Sequence, residues 1–171
     1  MGAITTGKGS EAYCAAEVAT LAAALEARGW SLVTAESCTG GWLAKILTDL
    51  AGSSVWFERG FVTYSNAAKC EMLGVSEALL ESEGAVSEAV AVAMAAGAYD
   101  RSPAQLAIAL TGIAGPGGGT AGKPVGTVCY AVAMAGRTPH GGTWHFTGER
   151  DAVRWQTVCA ALDLLIRAMR H

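Results

Sequence analysis

A chain of 171 residues, 51% of them apolar, is about one domain long and carries enough apolar side chain for a single well-buried core. A net charge of −3 and an isoelectric point near 5.6, with no Lys/Arg cluster, exclude an electrostatic grip on nucleic acid but leave room for a small anionic ligand, which one arginine can hold. No apolar run reaches the ~18 residues of a membrane span, the opening "MGAITTGKGS" lacks the apolar core of a signal peptide, and the five cysteines form no C-x-x-C pair, so a soluble, cytoplasmic protein with free thiols and no membrane partner is expected.

Residues 1–10 are expected to be flexible; "MGAITT" fits the myristoylation pattern, but so short a match carries little weight. Residues 11–28 place Ala, Val and Leu at helical spacing behind a candidate cap at Ser10, and Gly29 stops the run. "SLVTA" reads as a buried strand and residues 40–50 as a helix ending at "AGSS". "FERGFVTYS" is a second strand with Thr63, Tyr64 and Ser65 at its C-terminal end, followed by the short helix "NAAKCEML" from a cap at Asn66. Residues 74–87 spell turn, short helix and turn, and Ser87 with Glu88 opens an Ala-rich helix to about Asp100. "AQLAIALTGIA" is an apolar strand running into the loop "GPGGGTAGKP". "VGTVCYAVAMAG" and "GTWHFTG" form a hairpin across "RTPHG", and a last helix runs from "ERDAVRW" to Met169. Helices and strands interleave without a linker or repeat, so a single α/β domain is expected over residues 1–171: a layered α/β/α sandwich with a mixed sheet.

Ligands of open α/β sheets collect at the carboxyl ends of strands. Three such ends carry polar residues here: Ser37 to Thr39, Thr63 to Ser65, and Thr111 with the glycine loop. "TAESCTGG" joins a strand to a helix, where free N–H groups can receive an oxyanion or phosphate, although an ordinary N-cap at Ser37 or Thr39 explains the same letters. Cys38 in that position could be a reactive thiol, but His140 falls in a turn, His145 in a strand and His171 at the terminus, so no histidine base is in prospect. Lysine is the alternative base for a serine, provided that desolvation makes its neutral form accessible. Lys69, close behind Tyr64 and Ser65, fits, against the commoner fate of a solvated lysine; Ser65 at i, i+4 is a rival nucleophile, and Lys45 reads as a surface residue.

Two further motifs read less specifically. Gly117, Gly122 and Lys123 match part of a phosphate-binding P-loop, but Pro124 replaces the Mg²⁺-binding Ser/Thr and a strand follows, which excludes an ATPase. Arg150 and Arg154 lie on one face of the last helix and could hold a phosphate; pairing with Glu149 or Asp151 is the preferred explanation on spacing alone.

Taken as ordered blocks, "TAESCTGGWLAKILTDLAGSSVWFERGFVTYSNAAK", "GAVSEAVA", "LTGIAGPGGGTAGKPVGTV" and "GERDAVR" resemble the C-terminal domain of the competence/damage-inducible protein CinA in its stand-alone form, the bacterial nicotinamide-nucleotide amidohydrolases. The resemblance covers nearly all of residues 12–168. It implies hydrolysis of nicotinamide mononucleotide to nicotinate mononucleotide and ammonia in pyridine nucleotide recycling, by a Ser/Lys mechanism that uses no metal or cofactor. Position by position it implies Ser37 as nucleophile, Lys69 as base and Tyr64 as assistant, with Cys38, Thr39, Gly40 and Gly41 forming the oxyanion-binding entry. Thr111, beside Gly112, and Arg150 match positions tied to the site, and a homo-oligomer is expected. The competing classes are a non-catalytic nucleotide-binding module, a Cys38 thiol enzyme, and an accessory protein of competence or DNA damage, the last disfavoured by the acidic composition.

Overall fold

The computed structural model describes residues 11–170; the cap expected at Ser10, the flexibility and acylation pattern expected before it, and His171 lie outside the described residues. Along the chain run α1 (Glu11–Arg28), β1 (Leu32–Glu36), α2 (Trp42–Thr48), a 3₁₀ turn (Ser53–Val55), β2 (Phe57–Val62), α3 (Asn66–Leu73), α4 (Glu77–Glu83), α5 (Glu88–Asp100), β3 (Leu106–Gly112), β4 (Thr127–Met134), β5 (His140–His145) and α6 (Arg150–Met169). One five-stranded sheet has the order β2-β1-β3-β4-β5. Its first three strands are parallel, and β4 and β5 run antiparallel to their neighbours. Helices cover both faces, so the layered α/β/α sandwich with a mixed sheet is the architecture found.

The two faces differ in side-chain size because β3 alternates large and small residues. Leu106, Ile108 and Leu110 join Leu32 of β1 against α1, α2 and α6, whereas Ala107 and Ala109 meet α5, with α3 and α4 beyond it. Small residues on strand and helix let α5 settle close to the sheet. Its Gly97 sits so tightly under α3 that a Cβ there would stand 2.0 Å from the Leu73 carbonyl oxygen. Backbone cannot yield as a side chain can, so Gly97→Ala is expected to destabilise the fold by about 2–4 kcal/mol, read as a lowered urea midpoint with an unchanged far-UV spectrum.

Several boundaries move from their expected places. The helix expected from residue 40 begins at Trp42, because Gly40 (φ +60°) and Gly41 (φ +90°) are left-handed and form the turn before it. Strand β2 ends at Val62, leaving Thr63, Tyr64 and Ser65 in the connection. The cap of α3 is Ser65 rather than Asn66: Ser65 is extended (φ −86°, ψ 162°) and its hydroxyl accepts from the Ala68 amide. Strand β5 begins at His140, two residues earlier than the expected run, pairing Val132↔His140 through Thr127↔His145.

Topology then assembles the site. Because β1 lies between β2 and β3 and all three are parallel, their carboxyl ends are adjacent, with Glu36 in register with both Val62 and Leu110. One further backbone bond on each side continues the ladder past the strand ends: Thr63 N–H donates to the Glu36 carbonyl at 2.8 Å, and Ser37 N–H to the Leu110 carbonyl at 2.9 Å. Ser37 and Thr63 are therefore fixed side by side.

Candidate active site

Lys69 is 1% exposed although it belongs to a short amphipathic helix. Its position is set by the Ser65 cap, which starts α3 so that the fourth helical residue turns under the sheet's end. There Nζ lies 3.1 Å from Ser37 Oγ, 2.9 Å from the Thr63 carbonyl and 3.3 Å from the Tyr64 carbonyl. None of these partners is a carboxylate. Burial pushes the Lys69 ammonium below its ordinary value, with the Cys38 and Cys70 sulfurs opposing to a lesser degree. Ser37 is itself buried, at 8% exposed. Two side chains that sequence spacing leaves 32 positions apart thus form a buried, hydrogen-bonded serine–lysine pair.

The turn from Ser37 to Gly41 is held by groups that the motif letters do not announce. Glu36, 1% exposed, caps α2 with its carboxylate: Oε2 accepts from the amides of Gly41 at 3.1 Å and Leu43 at 3.0 Å, and Oε1 from Ala44 at 2.8 Å. Gly40 N–H donates to the Ser37 carbonyl at 3.0 Å, and Trp42 N–H to the Thr39 carbonyl at 3.1 Å. From α6, Arg154 Nε donates to the Cys38 carbonyl and Nη2 to the Thr39 carbonyl, each at 3.1 Å, while its guanidinium lies over the Trp42 ring. Its ion pair with Asp151 is loose at 3.7 Å. The amides of Gly40 and Gly41 are therefore occupied, which corrects their expected place among oxyanion donors: their contribution is the left-handed turn. Among the described residues no backbone carbonyl accepts from the amides of Cys38 and Thr39, and that of Cys38 faces its own sulfur.

The remaining expected residues surround this pair. Thr111 is buried at the end of β3, and its hydroxyl donates to the Ala85 carbonyl at 2.8 Å, tying the strand to the turn before α5. Gly112 continues β3 beside Val128 of β4, where a Cβ would stand 2.8 Å from the valine side chain and 2.9 Å from the Thr127 carbonyl. Tyr64 is exposed, its ring outside the buried pair, and its hydroxyl accepts from Arg150 Nη2 at 2.9 Å. Arg150 Nη1 donates to the Gly115 carbonyl at 2.8 Å. The first arginine of α6 thus binds the glycine loop and Tyr64, and the fourth-next binds the Ser37 turn beside its loose pair with Asp151, one of the two carboxylates expected.

The rival readings lose their geometry. Ser65 is spent as the cap of α3. The Cys38 thiol is 6% exposed among Ala114, Val128, Phe146 and Val153, and burial pushes it up to about 11, against the weaker opposing effects of its own backbone amide, Arg154 and Lys69. His145 belongs to β5, separated from β1 by two strands, with Nδ1 3.5 Å from Thr127 Oγ1. Lys45 is exposed and paired to Asp49 at 2.6 Å. In the partial P-loop, Lys123 Nζ donates to the Glu83 carbonyl at 2.9 Å, and β4 follows. Among the described residues, no group of three or more His, Cys, Asp or Glu is placed to hold a metal ion, and no helix is long and apolar enough to cross a membrane.

Glu36 is a residue of the site that spacing did not single out, and Arg154, singled out beside Arg150 for a phosphate, binds the Ser37 turn instead. A faint signal for Glu36 exists: an acid one residue before a turn that opens a helix is a natural partner for its N–H groups. Nothing local could have given Arg154 its target, 116 positions away.

The family model described as the CinA C-terminal domain matches residues 15–169. Nicotinamide-nucleotide amidohydrolase PncC of Shigella flexneri is 58% identical over 144 residues, covering 83% of this chain and 86% of that protein; its counterpart in Escherichia coli K12 is 56% identical over 142 residues, with the same coverage. Among solved structures, the competence/damage-inducible protein CihA from Agrobacterium tumefaciens is similar with a TM-score of 0.89 and 41% identity, covering 99% of this chain and 100% of that one. A CinA superfamily protein from Klebsiella pneumoniae follows at 0.88 and 40%, covering 92% and 98%.

Proposed function

The chain belongs to the CinA C-terminal domain family, and from that premise we propose that it is an amidase which hydrolyses the carboxamide of nicotinamide mononucleotide to nicotinate mononucleotide and ammonia, serving pyridine nucleotide recycling. The observation that carries the reading is the buried Lys69 Nζ 3.1 Å from Ser37 Oγ. A neutral amine has two N–H bonds and one lone pair. The carbonyls of Thr63 and Tyr64 receive the two N–H groups, which leaves the lone pair for the serine proton. Burial makes that neutral form accessible.

As Ser37 Oγ attacks the carboxamide carbon, its proton passes to Lys69 and the C=O π pair moves onto oxygen, where the Cys38 and Thr39 amides receive it. Collapse of the tetrahedral adduct expels the nitrogen, protonated by Lys69, as ammonia and leaves an ester on Ser37. Water, deprotonated by Lys69, then cleaves the ester to the acid and restores the serine. Thr111, hydrogen-bonded to Ala85, holds the wall beside the nucleophile. Arg150 and Tyr64, joined at the exposed rim, meet the nucleotide's phosphate, and the protein works as a homo-oligomer in the cytoplasm.

Ammonia release from nicotinamide mononucleotide, compared with nicotinamide riboside and free nicotinamide, tests the reading. Turnover confined to the nucleotide is the expected result; absence of turnover on all three overturns it. Arg150→Ala is expected to raise KM for the nucleotide about tenfold or more, the loss of one charge-assisted contact, while changing kcat far less.

A further inference from the structure

Resting on the serine–lysine reading, we propose that Arg154 is a positioning residue for the oxyanion: it fixes the direction of the Thr39 amide and polarises it, although it lies on the side of the turn away from the nucleophile. A trans peptide is planar, with its C=O and N–H antiparallel. The Cys38–Thr39 peptide has its carbonyl bound by Arg154 Nε from α6, so the Thr39 N–H points away from α6. α6 packs on the face of large side chains, and Lys69 comes from α3, on the opposite face. The N–H is thereby turned toward the side that carries the reacting pair. The preceding peptide obeys the same rule: its carbonyl, of Ser37, is fixed by the Gly40 amide, which orients the Cys38 N–H.

The division is complete across the turn. Gly40, Gly41 and Trp42 donate internally, the carbonyls of Ser37, Cys38 and Thr39 are each bound, and no backbone carbonyl takes the amides of Cys38 and Thr39, of which that of Thr39 is left over and that of Cys38 meets only its own sulfur. The second bond, Nη2 to the Thr39 carbonyl, makes the grip bidentate, so the guanidinium plane sets the orientation of two successive peptides. A cation on a carbonyl also draws charge through the peptide and strengthens its N–H as a donor.

The test compares the wild-type protein with Arg154→Ala and Arg154→Lys, following ammonia release from nicotinamide mononucleotide and the rate at which an aryl fluorophosphonate labels Ser37, since that probe's phosphoryl oxygen occupies the same oxyanion position. Arg154→Ala is expected to lower kcat about 10²-fold, as loss of one oxyanion donor does, with KM changed less than about threefold, to slow labelling by a similar factor, and to regain part of its kcat in non-denaturing guanidinium but not in equal sodium chloride. Arg154→Lys keeps the charge but lacks the rigid planar fork that holds two carbonyls in a fixed direction; it is expected to lose about tenfold, and it carries the test should the alanine variant not fold. Wild-type kcat in the lysine variant, or unchanged labelling in either variant, overturns the proposal. If the wild type releases no ammonia, the substrate assignment falls, and the labelling rates alone decide the role of Arg154.

Discussion

Ser37→Ala is expected to lower ammonia release from nicotinamide mononucleotide by on the order of 10³–10⁶-fold while leaving the fold intact, because removal of one member of a nucleophile–base unit costs nearly as much as removal of both. The loss falls on chemistry alone. The backbone bonds of Ser37 to Leu110 and Gly40 do not involve Oγ, and Lys69 keeps the carbonyls of Thr63 and Tyr64. Thermal unfolding of the variant within a few degrees of wild type, together with a coupled ammonia assay, provides the check. The double variant Ser37→Ala/Lys69→Met should be no worse than either single one. A Ser37→Ala protein that keeps more than about a hundredth of wild-type turnover would place the nucleophile elsewhere.

Lys69→Met carries the second large effect, and it separates activity from stability. Turnover is expected to be lost. In the wild type kcat/KM should rise with pH along one limb, since the base works only when neutral, with a midpoint below the ordinary lysine value of 10.5. Stability follows with a definite sign. A lowered folded-state pKa means that between that value and the unfolded value the native protein binds fewer protons than the unfolded chain, so stability rises with pH across that window. Below the folded pKa the cost of burying the ammonium is fully present; above the unfolded pKa it is gone. Methionine has no such cost, and so the stability of Lys69→Met relative to wild type should be greatest below the folded-state pKa and shrink as pH rises from there toward the ordinary lysine value. Urea unfolding at a series of pH values measures the difference, and a flat difference would mean that Lys69 is not desolvated.

How far the sequence reaches depends on the range of the interaction concerned. Alternating and helical apolar periodicities lie within a few residues of each other, and they suffice for the order of elements and the mixed sheet. The polar strand ends at Ser37, Thr63 and Thr111 could be placed together because parallel neighbours bring their carboxyl ends to one edge. Boundaries were less legible: Ser65 and Asn66 are both good caps by type, and only the extended backbone at Ser65 decides between them. Gly40 and Gly41 look like helix-entry donors in one dimension, yet the Ser37 carbonyl takes the Gly40 amide and the Glu36 carboxylate turns back to take that of Gly41. The pairing of Ser37 with Lys69 needed the family resemblance to be chosen over Ser65. The target of Arg154 stayed hidden because its partners are backbone carbonyls, which leave no trace in the letters.

The reversal of strand direction between β3 and β4 places one more element over the site. Since β4 returns antiparallel, residues 114–125 form the tip of a hairpin rather than a crossover, and they are closed at the neck by two hydrogen bonds, Ile113 N–H to the Thr127 carbonyl at 2.9 Å and Gly126 N–H to the Ile113 carbonyl at 2.8 Å. Segments above such a neck can lengthen cheaply, each doubling costing about 0.6 kcal/mol in closure entropy. Ser37 and Lys69 are held at the ends of the parallel strands, and the hairpin joins the antiparallel pair. Insertions in that tip would therefore leave the ends of β1 and β2, and with them Ser37 and the carbonyls that hold Lys69, in place.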